Sequence, residues 1–140
     1  MQTIVPYLTV KNAPEAIDFY VKALGAKEVS RAPAEDGRIL HADLSINGGS
    51  VFVMDEFPEH AVQGMGHTVH AATPERPAPV AVVVNYDAPA KIDNAYRRAV
   101  DAGCNGVMEP QDTFWNARFA ILHDPYGHQW MLNATLPAKN

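Results

Sequence analysis

The sequence predicts an α+β fold built as two tandem β-α-β-β-β modules. Three observations carry this. First, a helix-opening motif occurs twice: Asn12-Ala13-Pro14 followed by Ile17-Asp18, and Asp87-Ala88-Pro89 followed by Ile92-Asp93. Second, each motif follows a short apolar strand and precedes an amphipathic helical stripe. Third, two hairpin turns are legible from their residues, Asn47-Gly48 and Asp124-Pro125-Tyr126-Gly127. A repeat of this kind restricts the architecture sharply.

In chain order, Thr3 to Val10 reads as the first strand. Asn12 is placed to cap a helix whose first turn tolerates Pro14. Ile17, Tyr20, Val21 and Leu24 recur at helical spacing, and Gly25 suits the left-handed residue that ends the helix. A strand near Lys27 to Arg31 is followed by a polar loop, then a strand from Ile39 to Ile46. Asn47-Gly48 is the preferred type I′ turn and returns the chain along Ser50 to Asp55. That turn sets Asp43 opposite Phe52 and His41 opposite Met54. Residues 57–79 are rich in proline and support no regular element, so they read as a linker or flap.

Val80 to Tyr86 opens the second module. Its helix carries Ile92, Ala95, Tyr96 and Ala99 on one face and ends at Gly103. A strand near Val107 and a loop with Phe114 and Trp115 precede the last hairpin. There Asp and Pro suit a type I turn, and Gly127 closes it with a bulge. The bulge places Leu122 opposite Trp130 and Ile121 opposite Met131. Because side chains alternate, Leu122, Trp130 and Leu132 share a greasy face. Phe119, Ile121, His123, Gln129 and Met131 share the other, which mixes apolar and polar groups as a cavity wall does. The expected division is residues 1–56 for the first module, 57–79 for the linker and 80–136 for the second, within one compact domain.

Composition bounds the function. The chain has 140 residues, 47% hydrophobic, with a net charge of −5. That balance argues against nucleic acid and anionic membranes as partners. No apolar run approaches the roughly 20 residues that span a bilayer, and the first residues do not form a signal peptide. The single cysteine, Cys104, excludes an intrachain disulfide. A cytoplasmic protein is expected.

Several stretches are similar to the vicinal oxygen chelate superfamily of glyoxalase I, bleomycin resistance proteins and extradiol dioxygenases, and to its PhnB-like branch. They are Pro6-Tyr7-Leu8, Ala16-Ile17-Asp18-Phe19-Tyr20, Gly25-Ala26, Asp36-Gly37-Arg38-Ile39, His41-Ala42, Asp55-Glu56, Phe114-Trp115 and Asp124 to Trp130. The resemblance covers about Ile4 to Ala134 apart from the linker. It implies paired modules whose curled mixed sheets enclose a cavity, often completed in a homodimer. It also implies metal ligands on the first and last strand of each module, near Val5, Met54, Ala81 and Met131. None of these suits a hard or borderline divalent cation. The expectation is therefore no metal and no cofactor.

Candidate functional residues follow from the faces. If Met54 faces the cavity, so do His41, Asp43, Ser45 and Phe52, while Leu40, Ala42 and Leu44 face the helices. His41 and Asp43 lie about 7 Å apart along one face, where a carboxylate would orient an imidazole as a general base. A structural hydrogen-bonded pair is the plainer alternative. His123 and Gln129 would orient a polar ligand or form a structural pair. Tyr7, Phe52, Met54, Trp115, Phe119, Ile121 and Met131 would line the cavity with aromatic, aliphatic and thioether groups, which suit flat or irregular ligands. His67 and His70 lack metal-binding spacing. Arg118 points away from the cavity, Asp55-Glu56 marks a strand end in solvent, and Cys104 is inert. Two functions follow: a metal-free protein sequestering an aromatic or cationic small molecule, or a lyase, isomerase or dioxygenase-type enzyme. The enzyme would use a displaced metal site or acid–base chemistry at His41 and Asp43.

Overall fold

The computed structural model describes residues 2–59 and 70–138. The strands and helices run β1 Tyr7–Val10, α1 Ala13–Leu24, β2 Lys27–Pro33, β3 Ile39–Ile46 and β4 Gly49–Asp55. They continue β5 Ala81–Asn85, α2 Ala90–Ala102, β6 Asn105–Asp112, β7 Ala117–His123 and β8 Gln129–Thr135. Each half forms a four-stranded mixed sheet, ordered β1-β4-β3-β2 and β5-β8-β7-β6. The first strand of each pairs in parallel with the last, and the remaining pairs are antiparallel. The sheets are curled and not closed.

Both hairpins take the expected register, Asp43 opposite Phe52 and Ile121 opposite Met131. Asn47 and Gly48 have φ of 48° and 86°, as a type I′ turn demands. In the second turn Asp124 N–H donates to the His128 carbonyl at 2.9 Å, and Gly127 takes φ 87°.

The two helices begin differently despite the repeated motif. Asn12 caps α1, its side chain accepting from Glu15 N–H, and Gly25 ends the helix at φ 67°. Asp87 instead pairs with Lys91 at 2.6 Å, and α2 starts after Pro89 with no side-chain cap. Val21 on α1 is exposed, so the buried stripe is Ala13, Ala16, Ile17, Tyr20 and Ala23.

The helices pack on one face of each sheet and on each other, enclosing Trp130, Tyr20, Ile17, Leu44, Ile92, Leu122 and Leu132. Two expectations fail on β3 and β4. Leu40 is 48% exposed because the β2–β3 register shifts between Ala32 and Pro33, so Ile39 takes the helix-facing place. Asp55 is buried, not in solvent. Its Oδ1 accepts from Ala13 N–H and its Oδ2 from Ile39 N–H, both at 2.7 Å. It thereby satisfies a free donor at the start of α1.

Residues 71–78 form a strap over the last hairpin. Ala71 N–H donates to Glu56, Thr73 and Arg76 bridge each other, and Ala78 N–H donates to the Gly127 carbonyl. A Cβ on Gly127 would lie 2.5 Å from the Thr73 nitrogen, so only glycine allows this approach. His67 lies outside the described residues; His70 is exposed.

Candidate ligand-binding site

The sheet faces turned away from the helices carry the candidate residues. On the first sheet, Tyr7 from β1, His41 from β3 and Phe52 from β4 form a ring cluster. Their centroids are 5.5 Å apart for Tyr7 and His41, 5.6 Å for Tyr7 and Phe52, and 4.7 Å for His41 and Phe52, all edge to face. The Tyr7 hydroxyl lies 2.8 Å from His41 Nδ1 and 3.3 Å from the Leu40 carbonyl. When it donates over the shorter distance, His41 Nδ1 accepts and Nε2 carries the proton. Burial raises the Tyr7 phenol above its ordinary value, so the hydroxyl stays protonated.

The anticipated hydrogen bond between His41 and Asp43 is not made. His41 is held by Tyr7, a partner 34 residues away that only the parallel β1–β4 pairing brings close. Asp43 sits opposite Phe52 and Ser30 on the same face. Its Oδ1 is buried with no hydrogen-bond partner, a state shared among the described side chains with Asn116 Oδ1. Such an oxygen is a strong acceptor left without a donor. Met54, two residues beyond Phe52 on β4, shares this face by alternation and is 6% exposed next to Thr9.

On the second sheet, Phe119, Ile121, His123, Gln129 and Met131 are half-buried on one face, with Ile121 opposite Met131 and His123 opposite Gln129. His123 Nε2 and Gln129 Oε1 are 3.3 Å apart. Trp115 is half exposed against Phe119 at 5.6 Å, and Phe114, almost wholly exposed, meets Trp115 at 5.0 Å. Composition hinted at an aromatic loop, but not that it would project from the surface. A cavity of about 300 Å³ contains His123 and Gln129, and none of Tyr7, His41, Asp43 or Phe52 lines it. The two sets of candidates are thus separate places in the chain.

Arg118 binds Asp93 at 2.8 Å and Asp112 at 3.0 Å, away from both faces, and its hydrogen bond holds Asp93 below the usual carboxylate range. Cys104 is buried, and burial followed by the Asp124 charge pushes its thiol up to about 12.

Registering each first strand to its last refines the metal comparison. Thr9 neighbours Met54 as Val83 neighbours Met131, so the counterpart of Ala81 is Tyr7 and not Val5, which precedes β1. The resulting set, Tyr7, Met54, Ala81 and Met131, offers one phenol and two thioethers. It does not fit a divalent cation. Among the described residues no three His, Cys, Asp or Glu side chains gather to hold a metal.

Two similar modules, each with its parallel closing pair, point to one family. The profile described as the Glyoxalase/Bleomycin resistance protein/Dioxygenase superfamily matches residues 2–132. The chain belongs to this superfamily. The chain is 37% identical over 135 residues to uncharacterized protein Mb0911c of Mycobacterium bovis, covering 96% of this chain and 84% of that one. A glyoxalase/bleomycin resistance protein/dioxygenase from Nocardioides shares 26% identity at a TM-score of 0.71, covering 100% and 87% of the two chains. A PhnB protein from Bacillus cereus, titled a putative 3-demethylubiquinone-9 3-methyltransferase, shares the fold at a TM-score of 0.65 and 20% identity, over 96% and 100%.

Proposed function

We propose that this superfamily member binds a small molecule without a metal, sequestering an aromatic or cationic ligand against Tyr7, His41 and Phe52. The observation that carries the reading is Asp43 Oδ1, buried beside the ring cluster and, among the described residues, without a donor. A ligand that stacks on the rings and presents a charged N–H to Asp43 supplies the missing partner once the carboxylate turns Oδ1 toward it. Ring edges and faces favour a flat group, and a half-buried carboxylate strengthens its contact with a cation. The donor set at the family's metal positions supports metal independence. The PhnB-like branch is the part of the family its motifs resemble. A cytoplasmic homodimer fits the open curled sheets and the exposed Phe114, Trp115, Val80 and Val83, apolar groups that a second copy would cover.

A second reading rests on the 2.8 Å contact between Tyr7 and His41. In an enzyme, that pair would take the acid–base role in place of His41 and Asp43.

The test is fluorescence titration with 9-aminoacridine, a flat aromatic cation, against anthracene, a neutral tricycle of similar size. Binding that favours the cation and weakens about ten-fold in Asp43→Asn supports the anchor. Equal binding of both probes, unchanged by that substitution, rules it out.

A further inference from the structure

We propose that the cleft between the strap and the last hairpin is a second binding site, which takes the protonated amine of a small aliphatic molecule. The cleft encloses about 300 Å³, at the small end for ligand pockets. Pro74, Pro77 and Pro125 give it rigid apolar walls, and Asn105, His123 and Gln129 supply polar atoms.

Its field is negative. Among the described residues no Lys or Arg lines it, while Asp124 and the C-terminal end of α2 at Gly103 do. The last turn of α2 carries no basic residue to offset the helix dipole. Asp124 contributes charge only. Its Oδ1 already accepts from Tyr126 and His128 N–H, and its Oδ2 from Tyr20 and Trp130.

The acceptor is His123, and its tautomer can be read from its neighbours. Gln129 Nε2 donates to the Ala78 carbonyl at 3.3 Å, which fixes the amide with Oε1 toward His123. Nε2–H of His123 therefore donates to Gln129, and Nδ1 keeps a lone pair. Asn105 stands opposite His123 across β6 and β7 and adds an amide oxygen. Two neutral acceptors in a negative field, flanked by proline rings, suit an ammonium head on a short alkyl chain. An anion would face the Asp124 carboxylate and the C-terminal end of α2.

Three probes of one size test this: n-butylammonium chloride, n-butanol and sodium butyrate. Each is titrated at pH 8, where an ordinary imidazole is neutral, and followed by amide and imidazole nuclear magnetic resonance shifts. The expected result is saturable shifts at Asn105, His123 and Gln129 with butylammonium, at least ten-fold weaker with butanol, and no saturation with butyrate. His123→Ala should weaken butylammonium at least five-fold. Asn105→Asp, on an exposed strand, should tighten it several-fold even if the first variant folds poorly. Asp43→Asn should leave it unchanged, which separates this site from the ring cluster. Equal affinity for the alcohol, preference for butyrate, indifference to Asn105→Asp, or shifts that vanish in Asp43→Asn would each overturn the proposal.

Discussion

The Tyr20 hydroxyl donates to Asp124 Oδ2 at 2.6 Å, tying the first helix to the last hairpin turn. The same oxygen accepts from Trp130 Nε1 at 2.8 Å, so one buried carboxylate joins both halves of the chain. Its four donors match its charge, which is how a buried carboxylate is tolerated. Asp124→Ala should cost about 3–5 kcal/mol, because it strands several buried donors. Tyr20→Phe should cost about 1.5–3 kcal/mol, the range for a hydrogen bond to a charged group. Urea denaturation checks both, and a Tyr20→Phe variant as stable as the parent would contradict this role.

Gly127 and Gly37 make a matched pair. Both have positive φ, 87° and 92°, but an added Cβ meets the Thr73 backbone at Gly127 and nothing within 4 Å at Gly37. Gly37→Ala should cost about 1–2 kcal/mol from backbone conformation alone. Gly127→Ala should cost clearly more and displace the strap. Hydrogen exchange at the Ala78 amide, which donates to the Gly127 carbonyl, reads that displacement directly. Equal losses in the two variants would mean the strap yields freely.

Cys104 provides a test by pH. Its thiol value in the folded chain is raised from 9.0 to about 12, first by burial and then by Asp124, and burial also raises Tyr20 well above its ordinary value. A raised folded value means these groups favour folding fully below their unfolded values. That contribution is lost as pH rises through about 9 toward the folded values. Stability should fall on the alkaline side, and Cys104→Ala should flatten part of the fall. Native protein at pH 8 should react slowly with a thiol reagent and promptly once unfolded. Rapid native labelling would contradict the buried placement.

What the sequence made legible was what local chemistry decides. Asn47-Gly48 and the Asp124 turn each specify a register within a few residues, and both registers hold. The remainder depended on distant partners. Asp87 repeats Asn12 in sequence, yet its carboxylate goes to Lys91 and the second helix starts later. Asp55 looked like a strand end in solvent because nothing local reveals that Ala13 and Ile39 bring their N–H groups to it. The shift that turns Leu40 outward is set by pairing with β2. At the candidate site the faces were legible, but the partner was not. His41 meets Tyr7 across the sheet, and among the described residues Asp43 Oδ1 finds no donor.

The proposed binding mode needs no divalent cation. The most direct measurement is metal content of tag-free protein, with thermal melting before and after addition of Mn²⁺, Fe²⁺, Ni²⁺ or Zn²⁺. With Tyr7, Met54, Ala81 and Met131 at the positions the family resemblance implies, no stoichiometric uptake and an unchanged melting temperature are expected. Uptake near one ion per chain, with a higher melting temperature, would contradict it, because a cation that binds only the folded state must stabilise it.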